Sequence, residues 1–206
     1  GLVGSEMCIR DRPITLVFFS SFVLVILLSK SRILMQGGVN PELELDWYTD
    51  LISKLRTSHP TIDLDCFSPI EIEGIAEVCD LSTSEVLLKL KNAGMHGLPG
   101  GGAEMLVDSV RMDISPKKGS ADNWIRVMRE AQEIGLTTSA TNVIGFGESR
   151  ADRILHMDRI RSAQDNAISS GNIGFTSFIS WPVQLENNVF GARNRGDNRT
   201  RLGASS

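Results

Sequence analysis

Cysteine is scarce: 206 residues carry three, Cys8, Cys66 and Cys79, far apart and in no C-x-x-C or zinc-like spacing. Spacing alone therefore builds no metal site. An odd, scattered set suits the reduced thiols of a cytoplasmic chain rather than a disulfide scaffold. Aromatic residues are few, and a net charge of −4 leaves no basic footprint for nucleic acid. The nucleotide fingerprints are also missing. Gly145-Phe146-Gly147 starts a G-x-G-x-x-G, but Arg150 stands where the third glycine belongs, and no G-x-x-x-x-G-K-[ST] occurs. Ser68 has no histidine and acid at a useful spacing for a hydrolase triad. His59, His96 and His156 are isolated and read as solvated or partly buried rather than catalytic.

Glycine is what the chain has in the right places. Leu98-Pro99-Gly100-Gly101-Gly102-Ala103-Glu104 removes three successive Cβ atoms and sets a carboxylate directly after them. Such a run lets backbone approach a ligand closely or take positive φ, although a flexible surface loop has the same composition. Gln36-Gly37-Gly38 and Gly145-Phe146-Gly147-Glu148 repeat the theme after other apolar runs.

Between these glycines the hydrophobic period changes regularly. Short apolar or alternating runs predict strands at 32–36, 61–67, part of 97–107, 137–146 and 174–181. Helices are expected over 46–57, with Trp47, Leu51, Ile52 and Leu55 as one stripe, over 70–79, and after the capping box Ser82-Thr83-Ser84-Glu85. Two more follow, over 123–134 and from Ser149 to about 166. Glu71 and Glu73 read as acids favoured at a helix start, and Lys117-Lys118 as an exposed turn. Asp63 and Asp65 alternate with Ile62 and Leu64, so in a strand covered on both faces they need partners or a ligand. Strand–helix alternation at this spacing means parallel strands joined by crossover helices. The fold class is α/β: a partial (β/α) barrel of about five parallel strands over residues 32–185. Ligands in such folds sit at the carboxyl ends of the strands, where Gly37, Gly38, Ser68, Glu104, Gly145 to Glu148 and Trp181 fall.

The flanks are different in kind. Residues 14–28 are almost wholly apolar but short for a membrane span. They also resemble the apolar core of a signal peptide without a clear cleavage site. Residues 1–12 look like translated sequencing adapter, which makes residues 1–31 a non-native leader outside the fold. A membrane-tethered, non-catalytic half barrel is the competing class. Residues 186–206 read as a polar loop or tail.

Longer motifs carry a family resemblance. QGGVNP at 36–41, DCFSPIEIEGIAE at 65–77, AGMHGLPGGGAEMLVDSVR at 93–111, ISPKK at 114–118, TTSATNVIGFGES at 137–149 and FTSFISWPVQLENN at 175–188 resemble the radical S-adenosylmethionine enzymes of the futalosine route to menaquinone. The match is best to those acting on dehypoxanthine futalosine. Aminofutalosine synthase and the radical enzymes of deazaflavin-cofactor synthesis share the glycine run but differ around 138–149 and 177–188. The resemblance implies a TIM-like barrel, S-adenosylmethionine, a 4Fe–4S cluster, and a flavodoxin or ferredoxin as electron donor. It implies that a 5′-deoxyadenosyl radical takes hydrogen from the ribose of dehypoxanthine futalosine, which then cyclises onto its benzoate ring. Residue by residue, it sets Gly37 and Gly38 at the methionine amino group and Glu104 near the cofactor ribose. Ile144 and Ile179 fall at the adenine, and Ser68 at the cofactor carboxylate or the substrate. It assigns no catalytic base. The family's C-x-x-x-C-x-x-C loop belongs upstream of Gln36, where only Cys8 occurs. A cluster needs three thiolates with one iron left open, so the chain is expected to be an inactive piece, truncated at both ends, of a cytoplasmic enzyme.

Overall fold

The structure is a computed structural model that describes residues 32–184 and 186. The leader at 1–31 and nearly all of the expected tail lie outside the described residues. Five strands form one sheet in sequence order: β1 (Arg32–Met35), β2 (Asp63–Cys66), β3 (Gly97–Leu98), β4 (Thr137–Ile144) and β5 (Phe175–Pro182). Every pairing is parallel, the arrangement of a half barrel.

Parallel strands require crossovers, and helices supply them. α1 (Leu45–Ser58) joins β1 to β2, while α2 (Pro69–Cys79) and α3 (Thr83–Ala93) join β2 to β3. Between β3 and β4 lie α4 (Asp108–Ile114), a 3-10 turn at Pro116–Lys118 and α5 (Ala121–Glu133). α6 (Arg150–Ser169) joins β4 to β5. Caps set the boundaries. Ser82 and Ser149 form capping boxes with Glu85 and Asp152, and Ser68 caps α2 ahead of Pro69 at the first helical position.

Alternation gives the sheet two unlike faces. Leu64, Cys66, Leu98 and Ala140 point to the helices and are sealed, with Ile52, Ile72, Leu87, Leu90, Trp124 and Met128 packed on that side. The inner face carries a polar row: Arg32 bonds Asp65 (2.9 Å) and Asp63 (3.3 Å) across it, and Thr137, Ser139, Thr141 and Ser177 continue it, with Leu34, Val143, Ile179 and Trp181 as apolar members of the same face. The two aspartates thus have the partner their alternation calls for.

Four local expectations are corrected. The third strand is two residues long, because the glycine run leaves the sheet at Pro99 and α4 follows instead of more strand. α1 buries Leu45, Tyr48 and Ile52, whereas Trp47 lies edge-on to Tyr48 and is 40% exposed. His156 is fully buried, where a solvated or partly buried ring was expected. Lys118 is not a free turn residue but pairs with Glu104.

Candidate active site

The segments that follow β1, β2, β3 and β4 meet along one rim. After β1, the Gln36 amide donates to the Phe67 carbonyl (3.0 Å), and a Cβ on Gly101 would collide with the same Gln36 amide. Gly37 and Gly38 both donate their N–H groups to one oxygen of Glu71, at 2.9 Å each. The other Glu71 oxygen accepts from the Ser68 hydroxyl at 2.7 Å. Burial pushes the Glu71 carboxyl above the usual carboxylate range, while the three donors oppose that shift. Glu71 is therefore a rim residue whose bracing contacts sequence reading missed. An acid in a first helical turn ordinarily serves its own helix, and here it reaches across to another loop. With both amides engaged by Glu71, the turn's own carbonyls are the groups left to receive a donor such as an amine.

The glycine run after β3 is pressed against β4. Gly100 donates to Ser139 Oγ (3.0 Å) and accepts from the Thr141 hydroxyl (2.5 Å), and a Cβ at Gly100 would overlap the Ser139 carbonyl. Trp124 Nε1 donates to the Gly101 carbonyl at 3.1 Å. Glu104 takes positive φ (41°), is 6% exposed, and its carbonyl accepts from Val143 N (2.8 Å). Its carboxylate forms an ion pair with Lys118. Lys118 thus belongs to the rim, a contact between segments on either side of α4 that no local pattern announces. Leu106 donates its N–H to His156 Nδ1 (2.9 Å). Burial, reinforced by the positive charge of Arg111, lowers the His156 pKa to about 4, so the ring is neutral with its proton on Nε2, an atom without a partner among the described residues.

After β4, Glu148 folds back to accept from Gly145 N (2.9 Å) and Phe146 N (2.7 Å) and pairs with Arg153 (2.8 Å). Ile144 shares the helix-covered side with Asn142 by alternation, and its carbonyl accepts from Val183 N (2.8 Å). Val143 takes the inner side. Ile179 lies beside Thr141 and Trp181 beside Val143 on the inner face of β5, with Trp181 56% exposed.

Gly37, Gly38, Ser68 and Glu104 thus share the rim with Glu71 and Lys118. The two described cysteines do not converge there. Cys66 is buried beneath the helices with its thiol pushed up to about 12, and Cys79 accepts from Leu45 N at the end of α2. No group of three or more metal-binding side chains occurs among the described residues, so the residues present do not fit an iron–sulfur cluster. No helix among them is long and apolar enough to cross a membrane.

No family model matches the chain. Cyclic dehypoxanthine futalosine synthase of Halalkalibacterium halodurans is 45% identical over 157 residues, 76% of this chain and 41% of that protein. Aminodeoxyfutalosine synthase of Thermus thermophilus is 35% identical over 158 residues, 77% of this chain and 41% of that one. A 5-amino-6-(D-ribitylamino)uracil–L-tyrosine 4-hydroxyphenyl transferase of Microcystis aeruginosa is 34% identical over 171 residues, covering 80% and 45%. The chain spans less than half the length of these relatives. Among solved structures, methylornithine synthase superposes with a TM-score of 0.57 at 13% identity, over 75% of this chain and 40% of that one, a likeness of fold. The chain is a homologue of the cyclic dehypoxanthine futalosine synthases and their radical S-adenosylmethionine relatives, built on the parallel β/α barrel.

Proposed function

We propose that residues 32–184 form one wall of the chamber in an enzyme that converts dehypoxanthine futalosine to cyclic dehypoxanthine futalosine in menaquinone biosynthesis. The observation that carries this reading is the 45% identity to cyclic dehypoxanthine futalosine synthase. Gly37 and Gly38, braced by Glu71, receive the amino group of S-adenosylmethionine through their carbonyls. Glu104 receives its ribose hydroxyls, and its adenine lies against Ile179 on the inner face of β5, with Ile144 at the end of β4 bordering it through main chain, since its side chain is on the helix-covered side. Ser68 orients Glu71 and borders the cofactor carboxylate or the substrate. When bound, the cofactor supplies the radical that starts the reaction; the chain's own residues bind it, orient it and keep water away. We assign the enzyme to the cytoplasm, with a flavodoxin or ferredoxin as electron donor.

Two experiments test this. Anaerobic reconstitution of the 206-residue chain with iron and sulfide is expected to leave it without a cluster, and about four irons per chain would overturn that part. A longer polypeptide, carrying residues 32–184 behind a C-x-x-x-C-x-x-C loop, is then reduced with S-adenosylmethionine and dehypoxanthine futalosine. The cyclic product is expected by mass spectrometry. Turnover of an aminodeoxyfutalosine synthase substrate instead would favour the second relative's reaction and sink the first.

A further inference from the structure

Arg111 is 2% exposed, yet its guanidinium is spent on main-chain carbonyls. Nη1 donates to Gly102 (3.1 Å) and Ala103 (2.5 Å), Nε to Gly119 (3.0 Å) and Nη2 to Lys118 (3.0 Å). A buried guanidinium is tolerated when its donors are filled in this way. The four carbonyls belong to two segments on either side of α4. One runs directly into Glu104, and the other contains Lys118. These are the two residues that form the ion pair at the rim, and Arg111, Glu104 and Lys118 line one small crevice together with Ile114 and Ser115.

We propose that Arg111 is a positioning residue that ties the glycine run to the Lys118 turn and so presents Glu104 and Lys118 as a matched acid and base. A ligand carrying hydroxyl donors and a carboxylate opens that pair, taking Glu104 with the first and Lys118 with the second. S-Adenosylmethionine has both groups, so this inference rests on the cofactor reading above. Lysine at position 111 keeps the charge but offers one donor centre, which cannot span four carbonyls.

The first test needs no ligand. Reductive methylation of the 206-residue chain, read by mass spectrometry, compares Lys118 with its exposed neighbour Lys117. Lys118 is expected to react about fivefold more slowly in the parent chain. Arg111→Lys and Glu104→Gln are each expected to abolish that protection, and the double variant to add nothing further. A folded Arg111→Lys chain with Lys118 still protected overturns the proposal. If that variant does not fold, amide exchange in the parent chain decides. A common opening rate for 102–104 and 118–119 supports the tie, and separate rates overturn it. Equilibrium dialysis of S-adenosylmethionine with the longer, cluster-carrying polypeptide forms a separate arm, where Arg111→Lys is expected to weaken binding about tenfold. Failure of that longer polypeptide to bind sinks the cofactor reading, while the labelling still decides the role of Arg111.

Discussion

At the scale of single residues, the rim glycines separate into distinct physical cases. Gly38 has positive φ (81°) with open space around it, so Gly38→Ala is expected to cost about 1 kcal/mol from backbone strain alone. Gly37 has open space and no positive φ, and Gly37→Ala is expected to stay within about 0.5 kcal/mol. A methyl at Gly100 meets the β4 backbone, which cannot step aside, and about 3 kcal/mol is expected there. Urea unfolding of the three variants checks the order. His156 supplies a pH dependence. In the unfolded chain it takes a proton below about 6.5; in the folded chain it resists until about 4. The unfolded state therefore binds more protons between those values, and stability falls as pH drops through that window, by about 3 kcal/mol in all. His156→Gln is expected to remove this loss, seen as a flatter dependence of the urea midpoint between pH 7 and 4. The sequence announced the glycines, because three in a row before an acid are visible in one dimension. Glu71, Lys118 and His156 were hidden because each acts on a segment that only folding brings near.

At the scale of elements, caps and crossovers were readable and short pieces were not. Ser149 and Asp152 form a reciprocal box at the start of α6, so Ser149→Ala is expected to lower stability by about 1 kcal/mol. Thermal unfolding followed by circular dichroism checks it. β1, β2, β4 and β5 were legible from apolar runs or alternation ended by glycine, serine or proline. β3 was overextended because Met105-Leu106-Val107 looks like strand yet is buried by the loop's own return under Arg111 and His156. α4, at seven residues, has too few turns to show a period, and its Arg111 donates to carbonyls of the two flanking segments, outside any repeating pattern.

At the scale of the whole molecule, the helix layer seals one side of the sheet while the other side ends at an aromatic lip. Trp181 is the exposed indole there, Trp124 is buried in the core, and Trp47 lies on α1. Adenosyl ligands are expected to quench tryptophan fluorescence, and Trp181→Phe to abolish the change; quenching that survives this substitution would move the adenine elsewhere. The row of Arg32, Asp63, Asp65, Thr137, Ser139, Thr141 and Ser177 has a calorimetric consequence. A trough lined with hydroxyls and charges is a hydrated trough, and an incoming solute displaces bound water there instead of covering oil-like surface. Association should therefore carry a heat-capacity change well short of that of an apolar pocket of equal size.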